Sequence, residues 1–93
     1  MIRYQEWVIS FECESEKFPQ LQSIIESNLG KIDRYLDDVI KEGELTRVNL
    51  HDEGIYTHNL YGLLANVKKT LVKEDVRGLS IKHSFPSKLE EVI

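Results

Sequence analysis

The chain has 93 residues, of which 41% are hydrophobic and 30% are charged, with a formal net charge of −4 at pH 7. This composition is typical of a folded globular protein, and the length suits a single domain, which we expect to span residues 1–93. The negative net charge disfavours a general affinity for nucleic acid.

The cysteine content and the N-terminus indicate where the chain resides. Cys13 is the single cysteine, so no intrachain disulfide can form, as suits a reducing compartment. The first six residues lack a signal-peptide-like apolar segment, and no apolar run approaches the roughly 20 residues that a membrane span needs. We therefore expect a cytoplasmic protein without a membrane partner.

The first predicted element is a strand over residues 2–13. Trp7, Ile9, Phe11 and Cys13 alternate there with mostly polar residues. This alternation is typical of a strand with one buried face and one face in water. It favours a mostly antiparallel sheet that is covered by helices on one side only.

The longest predicted element is a helix between Ser15, a good N-cap, and Gly43, a residue suited to the end of a helix. Its apolar residues recur at steps of three and four and form one stripe. The members of the stripe are Phe18, Leu21, Ile25, Leu29, Ile32, Leu36, Val39 and Ile40. A continuous helix would be about 40 Å long, against a diameter of roughly 30 Å for a compact chain of this size. The pattern leaves open whether the helix is continuous or breaks at Gly30.

A β-hairpin is predicted next. Residues 44–51 form the second strand, and Ile55–His58 forms the returning third strand. The segment His51-Asp52-Glu53-Gly54 between them has the composition of a type I turn that ends on a left-handed glycine.

The last third of the chain predicts a second helix, a strand and a short terminal helix. The helix begins after Asn59 and carries an apolar stripe of Leu60, Leu64, Val67 and Leu71. Residues 79–84 alternate as a strand, and Ser87–Glu90 resembles a capping box at the start of the terminal helix.

The predicted fold is therefore α+β. The order β-α-β-β-α-β, followed by a short C-terminal helix, is that of a ferredoxin-like two-layer sandwich. We expect the first and third strands at the centre, parallel to each other, and the second and fourth strands at the edges. The alternative is β-α-β-α-β, in which Ile55–His58 is a loop. The ferredoxin-like plan serves many functions and implies none of them.

Histidine and cysteine give a weak case for catalysis and for metal binding. Cys13 and His58 could share one end of adjacent strands and form a dyad, whereas His83 should lie at the opposite end from Cys13, partly buried with a backbone partner. His51 and His83 are predicted on opposite edges, some 14 Å apart, which is too far for one ion. The sequence has no P-loop, GxGxxG, GxSxG or HExxH motif, so we expect neither a cofactor nor a metal.

Two acidic clusters are the candidate contact residues. They are Glu12, Glu14 and Glu16 around the end of the first strand, and Asp33, Asp37 and Asp38 on the long helix. Carboxylates bind metal or transfer protons only within a pocket that perturbs them, and these lie on polar faces. Residues 1–54 hold twelve acidic and six basic side chains, and an acidic first half of the chain can serve solubility or attract a basic partner.

These features favour a non-enzymatic, small acidic protein-binding module. An inhibitor, immunity or anti-defence protein that occupies a basic surface of its target fits this description. The alternative is a dimeric ferredoxin-like domain that binds a small ligand or regulates another protein. A third hypothesis is an enzyme that uses Cys13 and His58.

Overall fold

The computed structural model describes residues 4–30, 32, 38–55, 59–84 and 90–92. A short 3₁₀ turn, Ser15–Lys17, connects the first strand to the first helix. The strands and α-helices of the described residues are β1 (Tyr4–Glu14), α1 (Phe18–Leu29), β2 (Val39–Glu42), β3 (Leu45–Ile55), α2 (Leu60–Val72), β4 (Arg77–Ser84) and β5 (Glu90–Glu91).

The five strands form one antiparallel sheet in the order β2-β3-β1-β4-β5. The central strand β1 pairs with β3 over its whole length, from Tyr4 opposite Ile55 to Glu14 opposite Leu45. Its other edge pairs with β4. The protein is thus α+β, with a five-stranded antiparallel sheet and two helices, an arrangement compatible with a two-layer sandwich.

The core covers one face of the sheet, as the alternation in β1 predicts. Ile9 lies opposite Leu50 on one side and Ile81 on the other, and all three side chains are fully buried. The helices cover this row with the apolar residues Leu21, Ile25, Leu64, Val67 and Leu71. Neither helix of the described chain is long and apolar enough to cross a membrane.

The predicted continuous helix from Ser15 to Gly43 is wrong, because α1 ends at Leu29 and Val39–Glu42 form a strand. Gly30 caps α1 with φ +86° and ψ −179°, a conformation that side chains with a Cβ rarely adopt. Ile32 is nevertheless buried, and Val39 belongs to a strand. The described members of the apolar stripe therefore lie in a helix, at Ile32 outside any helix or strand, and in a strand. Leu36, another member of the stripe, lies outside the described residues.

The predicted hairpin turn at residues 51–54 is also wrong, because β3 runs unbroken through it. Asp52 lies opposite Trp7 and Gly54 opposite Gln5 in the ladder with β1. Pairing with a central strand satisfies the backbone of this segment and overrides its turn-like composition. The hairpin of the structure turns at Gly43, between β2 and β3. Of the predicted third strand, Ile55 belongs to β3, and residues 56–58 lie outside the described chain.

The predicted sheet arrangement needs two further corrections. The predicted second strand, residues 44–51, corresponds to the first part of β3 and lies beside β1 instead of at an edge, so the centre of the sheet is antiparallel. The predicted fourth strand, β4, is not an edge strand either, because β5 pairs beyond it. Glu90, predicted in a terminal helix, lies in β5, while Ser87–Leu89 are outside the described residues. The Val92 N–H donates to the Ile81 carbonyl at 2.8 Å, and the buried Val92 side chain anchors this last strand to the core. The alternative order β-α-β-α-β is also wrong, because it has three strands and the described sheet has five.

Candidate functional site

A cluster of hydroxyl and backbone hydrogen bonds ties two distant turns together. Ser15 donates its backbone N–H to the Glu44 carbonyl at 2.8 Å and its hydroxyl to the Gly43 carbonyl at 2.9 Å. Since the single Ser15 hydroxyl proton is used there, the buried Thr46 hydroxyl donates to Ser15 Oγ, at 2.8 Å. Ser15 is therefore not the predicted helix N-cap. It holds the β2–β3 hairpin against the start of the 3₁₀ turn.

This connection brings three carboxylates to one depression. Glu14, Glu16 and Glu44 line an open hollow of about 260 Å³, and all three residues are exposed. We call this group the acidic end. Glu14 and Glu16 are among the predicted contact residues, but Glu44 is not, because residue 44 was expected to begin a strand after a long helix. The sequence would have indicated Glu44 if the predicted helix had been ended at Gly30. Gly43 would then have been recognised as the turn of a β-hairpin, with Glu44 beside it.

The acidic end is not neutralised by neighbouring cations within the described chain. None of its three carboxylates forms a salt bridge with a described residue. The Lys17 ammonium donates instead to the Glu74 carbonyl at 3.1 Å. Arg47 lies 3.7 Å from Glu12 and 3.5 Å from Glu42. Glu12, a predicted contact residue, is therefore paired with Arg47 and does not line the hollow of the acidic end.

Of the second predicted acidic cluster, only Asp38 lies among the described residues. Asp38 is exposed and directly precedes β2, well beyond the end of α1 at Leu29. Asp33 and Asp37 lie outside the described residues. The role of Asp33, Asp37 and Asp38 in contacting a partner stays a prediction.

The thiol of Cys13 is poorly placed for nucleophilic catalysis. The residue is only 3% exposed, and burial, with a smaller effect from the neighbouring Glu14 charge, raises the pKa of the thiol. A nucleophilic cysteine needs the opposite, a pKa lowered towards neutrality by cations or a helix N-terminus. His58, the predicted partner of Cys13, lies outside the described residues.

His83 lies on the buried side of the sheet, opposite Trp7, and so lies six residues along β1 from Cys13. Its Nε2–H donates to the Gln5 side-chain oxygen at 3.2 Å, and the ring of Tyr61 packs edge-on with centroids 5.9 Å apart. The predicted backbone partner of His83 is replaced in the structure by the side-chain amide of Gln5. Burial lowers the pKa of His83, which favours a neutral imidazole in a packed polar cluster.

The face of the sheet away from the core, which we call the open face, carries a mixture of charges. A shallow hollow of about 420 Å³ lies there between β3, β1 and β4. Its polar lining comprises Ser10, Glu12, Arg47, Asn49 and Arg77. Both signs of charge line this hollow, so it does not select a ligand of one charge.

The open face also carries a cluster of one imidazole and two carboxylates. His51 Nε2 lies 3.0 Å from Glu6 Oε2, and ligand atoms of Glu6, His51 and Glu53 all lie within 4.8 Å of one another. The predicted separation of His51 and His83 by three strand spacings is wrong, since only β1 lies between their strands. The two histidines still cannot share an ion, because they project from opposite faces of the sheet.

Comparison with known proteins does not add a family to this description. No protein-family model matches the chain, and no curated protein or solved structure has significant similarity to it. The fold and surface define a small α+β protein with a buried thiol, a packed histidine and a concentrated acidic end.

Proposed function

We propose that this protein is a non-enzymatic binding module whose acidic end occupies a basic surface of a protein partner. The observation that carries the proposal is the convergence of Glu14, Glu16 and Glu44 on one hollow without a described cation among them. An inhibitor, immunity or anti-defence protein would use such a surface.

The construction of the acidic end supports binding more than catalysis. Its carboxylates are exposed and face water, whereas acid–base catalysis needs a buried environment that tunes a pKa. The hydrogen bonds of Ser15 connect the segment that carries Glu14 and Glu16 to the hairpin that carries Glu44 before any partner binds. A preorganised charged surface accelerates encounter with an oppositely charged partner and fixes its orientation.

We also propose that the fold is a ferredoxin-like variant. Its first six elements follow the order β-α-β-β-α-β, and β5 extends the sheet beyond β4. The variant differs from the predicted arrangement in its antiparallel centre and its additional edge strand. This relationship concerns the scaffold and carries no function by itself.

The alternative function, a dimeric regulatory or ligand-binding domain, has one observation in its favour. Ile40 lies on the short edge strand β2 and is 50% exposed. An apolar side chain on an open sheet edge suits pairing with a second copy. Light scattering on the wild type and on Ile40→Lys tests this alternative. A monomer at every concentration would exclude it, while a dimer lost in the variant would support it.

Charge reversal tests the main proposal. The partner is first captured on the immobilised wild type from an extract of the source cells, and is then purified for kinetic measurements. The test variant carries Glu14→Lys, Glu16→Lys and Glu44→Lys. A matched control carries the same change in net charge away from the acidic end, with Glu26→Lys, Glu90→Lys and Glu91→Lys.

The association rate distinguishes local contact from overall charge. Electrostatic steering raises association rates by roughly 10-fold or more, so the test variant should associate about 10-fold more slowly, with a weaker salt dependence. The control variant should stay close to the wild type. Equal association rates for the two variants would overturn the assignment of the acidic end as the contact surface.

A further inference from the structure

We propose that Glu6, His51 and Glu53 form a binding site for a divalent transition-metal ion on the open face of the sheet. The proposal concerns the opposite face from the core and is independent of the acidic end. It also departs from the expectation of no metal, which rested on the absence of a metal-binding motif and on the predicted separation of the histidines.

The register of the sheet places the three side chains together. Glu6 on β1 lies directly opposite Glu53 on β3, and His51 precedes Glu53 by two positions on the same strand. Residues two apart on a strand point to the same face, so all three side chains leave the sheet on one side. The ladder between β1 and β3 thus fixes the three backbone positions before any ion binds.

The distances suit coordination of a single ion. The three candidate ligand atoms lie within 4.8 Å of one another, and Nε2 of His51 is 3.0 Å from the Glu6 carboxylate. Ligand atoms that each lie about 2.0–2.2 Å from a zinc ion are separated by less than this limit. Small rotations of exposed side chains are therefore enough to close the site.

The hydrogen bond between His51 and Glu6 does not explain why a second carboxylate, Glu53, lies directly opposite Glu6. Two carboxylates directly opposite each other on one face destabilise a sheet. Across the other edge of β1, Glu6 faces the neutral Ser84, and Lys82 faces Val8, two positions further along. A divalent cation between Glu6 and Glu53 would neutralise both carboxylates and turn an unfavourable pair into a ligand set.

The donor set indicates which ions bind. One imidazole nitrogen with two carboxylate oxygens suits zinc and its first-row neighbours, whereas calcium and magnesium prefer oxygen ligands alone. The neighbouring strand β2 pairs only with residues 45–48 of β3, so no described strand covers β3 beside His51. The ion would therefore keep positions open to water or to a side chain of another protein.

Calorimetric titration of the chelator-treated full chain with Zn²⁺ tests the proposal, and Ca²⁺ serves as the comparison ion. The wild type should bind one Zn²⁺ and should bind Ca²⁺ at least about 10-fold more weakly. Loss of an outer-shell partner alone costs roughly 10- to 100-fold in metal affinity, so loss of a ligand in His51→Ala or Glu53→Gln should cost at least as much. The control variants are His83→Ala, on the buried side, and Glu12→Gln, on the open face.

A second measurement locates the ion and reports whether the variants fold. Mn²⁺, added in small amounts, should broaden the amide resonances of residues 6, 51 and 53 and of their neighbours before others. Well-dispersed spectra of the variants establish that they are folded. Absence of Zn²⁺ binding to the wild type, or undiminished binding to folded His51→Ala, would overturn the proposal. Equal affinity for Zn²⁺ and Ca²⁺ would overturn the role of the imidazole.

Discussion

The hydroxyl of buried Thr46 donates a hydrogen bond to the hydroxyl of Ser15, 31 residues earlier in the chain, over 2.8 Å. Ser15 in turn donates to the Gly43 carbonyl, so a chain of two hydrogen bonds runs from β3 through the 3₁₀ turn to the hairpin. This chain is the physical link between the first strand's end and the β2–β3 turn. It is also what places Glu44 beside Glu14 and Glu16.

The order of the two hydrogen bonds predicts unequal effects of removing each hydroxyl. Ser15→Ala leaves the buried Thr46 donor without its acceptor and should lower the free energy of unfolding by about 1–3 kcal/mol. Thr46→Val removes a donor and leaves Ser15 bonded to Gly43, so the loss should be nearer about 1 kcal/mol.

Urea denaturation of both single variants and of the double variant measures this difference. The double variant should be no less stable than Ser15→Ala, because no buried donor is then left unpaired. A larger loss in Thr46→Val than in Ser15→Ala would contradict the assigned direction of the bonds.

Two glycines should respond to alanine substitution with opposite signs. Gly30 has φ +86°, so Gly30→Ala should destabilise the protein by about 1–3 kcal/mol through backbone strain. Gly62 lies within α2 and does not have a positive φ, so Gly62→Ala should stabilise it by roughly 0.5–1 kcal/mol.

Neither substitution creates a clash, since an added Cβ meets nothing within 4 Å at either position. The comparison therefore isolates backbone conformation from packing. Thermal unfolding of the two variants beside the wild type gives the signs. A Gly30→Ala protein as stable as the wild type would mean that α1 does not end in this conformation.

The sequence was informative wherever one local pattern decided the structure. The alternation around Trp7, Ile9 and Phe11 correctly predicted the one-sided burial of β1, and the stripe from Leu60 to Leu71 correctly located α2. In both segments the apolar period and the backbone conformation agree, so no distant contact was needed to interpret them.

Prediction from the sequence failed where strand pairing and burial overrode the local pattern. Burial of Ile32 and partial burial of Val39 at helix-compatible spacing concealed a helix end and a strand. Pairing with β1 extended β3 through a segment that resembles a turn. The candidate sites depend on these same long-range pairings. Glu44 joins Glu14 only through the hairpin, and Glu53 meets Glu6 only through the register of β1 with β3.

The packed environment of His83 predicts that acid weakens the fold. Burial lowers the pKa of His83 below its usual value of 6.5, so the unfolded chain takes up a proton more readily than the folded chain. The contribution of neutral, buried His83 to stability is complete at pH values above the pKa of the unfolded state. It is lost as the pH falls through the pKa of the folded state. The free energy of unfolding should therefore fall from about pH 7.5 to about pH 5 more steeply in the wild type than in His83→Gln.

Glutamine is the suitable replacement because it also donates a hydrogen bond to Gln5 but does not titrate in this range. The resonance of the His83 ring, assigned by its absence in His83→Gln, gives the folded-state pKa directly. Equal pH dependence in the two proteins, or a ring that titrates above 6.5, would contradict the prediction.

The single thiol of the chain should react slowly while the protein is folded. Cys13 is 3% exposed, and burial raises the pKa of its thiol, so the reactive thiolate is scarce and shielded at neutral pH. A chromogenic disulfide reagent should therefore modify the folded protein far more slowly than the urea-unfolded chain, with one equivalent consumed in each case. Because reaction requires local or global opening, Ser15→Ala should react faster than the wild type.

A folded wild-type thiol that reacts as fast as the unfolded one would show an accessible, activated cysteine. That result would revive a nucleophilic role for Cys13 and count against a module that only binds.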